Sequence, residues 1–268
     1  VAAGDSWRVV GWTRSVDGRR AAAADGLDVA SSIGAACAGA DLILLAAPPL
    51  ACLGLIDMLG GPEAAAMAPD AVITDVASTK AAICARAEAN GLRFVGGHPM
   101  AGREASGYGA AEPDLFTGRP WVVIPPEPAD DPAEARVIAV ASACGAKVVR
   151  LGAAEHDAAV AAISHLPLVV AAALVEAIGG APDWPAARGL AAGGWASMTR
   201  LARGDVEMGA GILATNGPAV ADRLRDLRRV LDGWQTELDT GLPDADRLRD
   251  RLAAARRRLE ADDADGGR

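Results

Sequence analysis

Residues 41–47 read DLILLAA, and the run stops at Pro48-Pro49. A strand with one wet face alternates apolar and polar side chains. This run is apolar on both faces, so it has to be covered from both sides. A parallel sheet between helical layers meets that requirement, and the surrounding sequence supplies the parts. Strand-like runs at residues 7–12, 71–76, 121–124 and 147–151, with 93–95 leading into Gly96-Gly97-His98, alternate with helical stretches at 50–59, 79–90 and 132–145. Such alternation predicts a doubly wound α/β layer. No strand-like run follows, and helical patterns broken at Gly179-Gly180, Gly193-Gly194 and Pro243 fill the remainder. The expected division is an α/β domain at 1–152 and an all-helical domain at 153–268.

Composition excludes several classes. Apolar residues make up 51% of the 268, enough for a buried core, but aromatics are only 3%, so alanine, valine and leucine must fill it. A net charge of −9 repels phosphate backbones and argues against nucleic-acid binding. The basic run at 256–258 lies among acidic residues and reads as a solvated helix face. Cys37, Cys52, Cys84 and Cys144 are widely spaced among apolar residues, the pattern of free buried thiols in a reducing cytoplasm. No leader peptide is read at the N-terminus. The apolar stretch 158–178 contains Ser164, His165, Pro167 and Glu176, which suits a buried helix pair better than a membrane span. Three dispersed histidines supply no metal-ligand spacing, so no metal is expected.

An open α/β fold that binds a dinucleotide begins with a strand and a G-x-G-x-x-G turn. The sequence has no such turn and starts at what reads as the second strand. The first strand and its phosphate loop are therefore expected upstream of Val1, the alternative being a protein that has lost them. At the end of the second strand stand Thr13, Arg14 and Ser15 rather than a carboxylate. A guanidinium flanked by hydroxyls suits a 2′-phosphate and favours NADP over NAD. Ala47 and Pro48, at the next strand end, are further candidate cofactor contacts.

Two strand ends carry chemistry. In open α/β sheets ligands sit outside the carboxyl ends of strands. Residues 96–104 read GGHPMAGRE there, with glycines suited to close backbone approach to a ligand and His98 among them. Residues 75–80 read DVASTK at another strand end, where Ser78 or Thr79 suits either a helix cap or a catalytic role.

Five stretches taken together resemble the prephenate/arogenate dehydrogenases of tyrosine biosynthesis: ITDVASTK (73–80), FVGGHPMAGREASGYGAA (94–111), DLFTGRPWVV (114–123), EHDAAVAAISHLP (155–167) and MTRLARGDVEM (198–208), the last followed by Asn216. The resemblance implies a Rossmann-like domain followed by a helical dimerisation domain, hence a cytoplasmic homodimer using NAD or NADP. The implied reaction is oxidative decarboxylation of prephenate or arogenate, in which a ring hydroxyl loses its proton as hydride departs. By resemblance His98 accepts that proton and Ser78 orients the hydroxyl. Arg200 binds a substrate carboxylate, and Glu104 orders the site. His165, Ser164 and His156 line the substrate cleft. Many prephenate-using relatives read SHLPH where this chain ends in Leu168, and some carry a tryptophan where it has Gly209. Loss of that imidazole leans toward arogenate. The competing reading is a non-catalytic dimeric relic that holds no dinucleotide. A hydroxyacid-type dehydrogenase would use a lysine in its helical domain, and no lysine follows Lys147.

Overall fold

The computed structural model describes residues 7–62, 67–102 and 107–265. The chain forms two compact units, Val1–Val220 and Ala221–Arg268.

In the first unit the apolar runs become strands β1 (Val10–Gly11), β2 (Asp28–Val29), β3 (Leu42–Leu45), β4 (Val72–Asp75), β5 (Phe94–Pro99), β6 (Pro120–Ile124) and β7 (Lys147–Arg150). Among the described residues β1 and β2 form a parallel pair, and β3-β4-β5-β6-β7 form one sheet in sequential order. Its pairings are parallel except between β5 and β6. A parallel return needs a crossover element, and β5 and β6 are joined mainly by loop, so β6 comes back antiparallel. One antiparallel pairing is thus set into the otherwise parallel α/β layer.

The helices of this part are α1 (Val16–Ala24), α2 (Ile33–Cys37), α3 (Pro49–Leu59), α4 (Ala81–Ala89) and α5 (Asp131–Ala143). Strand alternation sends Val72 and Ile73 to opposite faces. Ile73 packs with Ile43, Leu45, Cys52, Ile56 and Ile83, under α3 and α4. Val72 packs with Val95, Trp121, Val123, Val137 and Ala141, under α5. The centre of the sheet is thus covered on both sides, but β3 stands at its edge among the described residues. Ile43 and Leu45 are buried while Leu44 on the other face is exposed, so the two-sided cover expected for DLILLAA is only partly met. Gly91 and Gly145, at φ +64° and +72°, end α4 and α5 in the left-handed conformation that glycine adopts without a Cβ penalty. Sequence patterning missed β2 and α2, which are two and five residues long and too short for a period to register.

Beyond β7 the described residues are helical. Helix α6 (Ala153–Val160) continues through a π-helical turn (Ala161–His165) into α7 (Leu166–Gly179). The expected helix pair is therefore one run of 27 residues, apolar enough and long enough to cross a membrane, with much of its surface uncovered in the single chain. Helices α8 (Trp184–Arg188), α9 (Gly193–Thr199) and α10 (Val206–Thr215) follow, with a 3-10 turn (Arg200–Arg203) after α9 that packs against α7.

Helix α11 (Gly217–Leu238) leads into α12 (Ala245–Asp265). Within the second unit the Arg251 guanidinium lies 4.0 Å from the centre of the Trp234 ring and donates to the Val230 carbonyl at 3.0 Å. Glu237 takes ion pairs from Arg247 and Arg251. The two helices are thereby held through a cation over an aromatic face rather than through a wide apolar seam.

Candidate active site

The carboxyl end of β4 builds the floor. Asp75 and Lys80 are wholly buried and form an ion pair. Lys80 Nζ also donates to the Gly97 carbonyl at 2.7 Å. Asp75 accepts from the amides of Ala77 at 3.1 Å and Gly97 at 3.0 Å. A buried ion pair is tolerable only when the remaining lone pairs and protons are also engaged, and here they are engaged by the backbone of β5. The pair therefore ties the end of β4 to the strand that carries His98.

Gly97 permits this closeness. A Cβ there would stand 2.6 Å from the Asp75 carbonyl oxygen. At Gly96 it would meet Cys84 and Ile124, each at 3.1 Å. The two glycines thus serve close strand packing.

His98 ends the strand with 9% of its surface exposed. Its Nδ1 lies 2.8 Å from Nε2 of His156, and His156 Nδ1 lies 2.8 Å from Oδ1 of Asp157. The carboxylate also accepts from the amides of Lys80 at 2.8 Å and Ala81 at 2.9 Å. Asp157, not Ser78 or Thr79, therefore caps α4. In the tautomer of His156 that donates Nδ1–H to Asp157 and accepts at Nε2, donation runs from His98 to His156 to Asp157. That order leaves the lone pair on Nε2 of His98. Burial first, then the charges of Lys80, His156 and His165, push the His98 imidazole well below its ordinary range near 6.5. The ring is neutral near pH 7 and presents an acceptor.

His165 joins the cluster through the π-helical turn. In an uninterrupted α-helix, eight residues from Asp157 to His165 would leave the two about 80° apart. One extra residue in the π turn brings them to within about 20° of the same face. Asn216, at the end of α10, then reaches both. Its Nδ2 lies 2.8 Å from the Asp157 carbonyl and 3.1 Å from His165 Nδ1. Burial lowers the His165 pKa to about 4, against an opposing effect of Asp157. Thr79 joins α10 through the Thr215 hydroxyl at 2.8 Å.

The remaining candidates are placed differently. Ser78 is half-buried beside this cluster in sequence, and its hydroxyl has no partner among the described residues. Arg200 is exposed on the turn that packs against α7. Ser164 is exposed, and the structure does not bring it to the histidines. Glu104 lies outside the described residues. Asp157 and the buried Lys80 were missed by sequence reasoning. The available signals were the His-Asp dipeptide and a lysine in a chain that has only two.

At the end of β1, Thr13 accepts from the Ser15 amide at 3.4 Å, and Ser15 caps α1 by accepting from Gly18 at 3.0 Å. Both hydroxyls keep a proton to donate. Arg14 between them is exposed, with no partner among the described residues. This set fits the ribose or 2′-phosphate of a dinucleotide. Ala47 and Pro48 lie at the carboxyl end of β3, but Pro48 and Pro49 lack amide protons, so the first turn of α3 is a poor phosphate cradle. A cavity of about 950 Å³ lies along the first half of β5, beside Phe94 and Gly96. Its Arg93 and Arg150 are engaged by Asp130 and Glu134, and its lining includes Gly96 but not His98.

Residues 3–150 match the family model described as the nucleotide-binding domain of prephenate dehydrogenase, and residues 152–254 match its dimerization domain. The chain belongs to the prephenate dehydrogenase family. A prephenate dehydrogenase of Lactococcus lactis is 32% identical over 198 residues, covering 72% of this chain and 53% of that protein. The chain spans about half the length of the curated relatives it matches. An arogenate dehydrogenase structure from Synechocystis is 30% identical with a TM-score of 0.72, covering 96% of this chain and 90% of that one. The fold is shared with Aquifex aeolicus prephenate dehydrogenase in complex with hydroxyphenyl propionate and NAD+, at a TM-score of 0.81, 22% identity and coverage of 98% and 90%.

Proposed function

We propose that this chain performs NAD(P)-dependent oxidative decarboxylation of prephenate or arogenate, as a cytoplasmic homodimer divided near residue 152 into cofactor-binding and helical parts. The observation that carries this reading is the line from Asp157 through His156 to His98, which leaves an unprotonated Nε2 at a strand end. Nε2 of His98 accepts the proton of the substrate's ring hydroxyl as it becomes a carbonyl. Ser78 donates to the same oxygen and orients it. Arg200 pairs with a substrate carboxylate, and Glu104 orders the entrance. When bound, the dinucleotide supplies the hydride acceptor. Arg14, with Thr13 and Ser15, holds its adenosine end and favours NADP, while Ala47 and Pro48 contact its ring systems.

Support for arogenate comes from the meeting of two departures from the family pattern. A Cβ on Gly209 would lie 3.5 Å from Cδ2 of Leu168. The position of the lost imidazole and that of the lost tryptophan therefore border the same apolar spot. Support for the dimer comes from the matched dimerization domain and from uncovered apolar residues such as Ile163, Leu190 and Met198, which are 68%, 86% and 56% exposed.

The test is absorbance at 340 nm with prephenate and arogenate, each crossed with NAD and NADP. Turnover with one pair, abolished in His98→Asn while substrate still binds, is the expected result. Equal turnover in His98→Asn would remove the base assignment. A folded dimer silent with all four pairs would favour the non-catalytic relic.

A further inference from the structure

Among the described residues the side-chain amide that meets the His165 ring is that of Asn216, and its orientation is fixed independently. The Asp157 carbonyl is solely an acceptor, so the Asn216 group 2.8 Å from it is the NH₂ group. The second proton of that NH₂ points to Nδ1 of His165 at 3.1 Å. Nδ1 therefore accepts, and the imidazole proton resides on Nε2. That atom is buried, in a side chain only 1% exposed, and has no hydrogen-bond partner among the described residues. Buried donors are seldom left unmade in a folded protein, and such an orphan calls for an explanation. The neighbouring charged or titratable groups are Asp157, His156 and His98, and these are already engaged with one another in the line from His98 through His156 to Asp157.

We propose that His165 is a binding residue for an sp² oxygen: its Nε2–H, set by Asn216 as a positioning residue, donates to a carbonyl or carboxylate oxygen of the substrate. The inference rests on the functional reading above and adds a division of labour to it. His98 and His165 present opposite tautomers, one a lone pair and the other a proton. The π-helical turn is the device that places the second beside the first. His165 stays uncharged while it donates, because burial holds its pKa down to about 4.

The chain has three histidines, so their ring nitrogens resolve readily in a ¹⁵N-labelled sample. Two-bond ¹H–¹⁵N spectra of the whole chain at pH 7 are expected to show His165 protonated on Nε2 alone, assigned by comparison with His165→Gln. A ring protonated on Nδ1, or a charged ring, overturns the proposal. In Asn216→Leu the single tautomer is expected to give way to a mixture, and a persisting pure Nε2–H form removes Asn216 from the role. Three probes then locate the acceptor: 4-hydroxyphenylpyruvate, 3-(4-hydroxyphenyl)propionate and 4-ethylphenol. A downfield His165 Nε2–H with the first two assigns a carboxylate, and with the first alone a ketone. A shift of equal size with 4-ethylphenol overturns the proposal, since neither group is then needed. Probes that move His98 but not His165 overturn this inference alone. Probes that move neither overturn the functional reading and the inference together. His165→Leu is expected to weaken probe binding roughly 10-fold or more, with His165→Gln recovering part of it.

Discussion

Replacing His165 by glutamine should change how the protein responds to acid, by an amount that the structure sets. Burial takes the imidazole from 6.5 to about 4. Between those values the unfolded chain binds a proton that the native chain refuses. The unfolded state then holds more protons, so stability falls as pH falls. The contribution is fully present above the unfolded value near 6.5 and is lost progressively down to about 4. Between pH 7 and pH 5 the loss amounts to about 2 kcal/mol. Glutamine fills similar volume, can still receive the Asn216 amide and does not titrate. Urea unfolding of both proteins at pH 7 and pH 5 isolates the effect, because His98 and the carboxylates titrate in each and cancel. The stability advantage of the wild type over His165→Gln is expected to shrink by about 2 kcal/mol across that interval. Parallel pH profiles would refute the claim that His165 is buried and neutral in the native state.

Other consequences follow from the same contacts. Lys80→Met strands the buried Asp75 carboxylate and should cost roughly 3–5 kcal/mol in chemical denaturation, much of it recovered in the double variant with Asp75→Leu. Gly97→Ala drives a methyl group against the Asp75 carbonyl, and calorimetry should show destabilisation of about 1–3 kcal/mol with slower turnover. Asp157→Asn no longer fixes the His156 tautomer, so kcat should fall roughly 100-fold or more with a smaller change in KM. Arg14→Gln should raise KM for NADP while leaving KM for NAD nearly unchanged, a contrast read directly from initial rates.

Much of this architecture was legible in the order of residues. A continuous apolar run bounded by prolines demands cover on both faces, and β3 receives it fully on the Ile43 and Leu45 face, while Leu44 on the other face stays exposed at the sheet edge. The motif strings led to His98, to the 75–80 segment and to the histidines of the helical part. Their partners could not be read in the same way. Ser78 and Thr79 have the chemistry of a helix cap, yet the cap of α4 is Asp157, from a helix 77 residues away. The glycines at 96 and 97 signalled close approach but not what approaches. The answer is the backbone of β4 and the side chains of Cys84 and Ile124. Ser164 and His165 are adjacent in sequence, yet one is exposed and the other buried, because neighbouring helical positions face different directions.

The sequence by itself determined the period of each segment, the alternation of strands and helices, and the residue types available at strand ends. Those properties depend on neighbours along the chain. Tertiary structure alone decided protonation and pairing. A lysine became half of a buried ion pair. His98 and His165 each acquired a ring partner of its own, His156 for the one and Asn216 for the other, brought from α6 and the end of α10. A side chain's hydrogen-bonding state depends on which groups lie within about 3 Å and on how far water is excluded, and both are set only when distant elements converge.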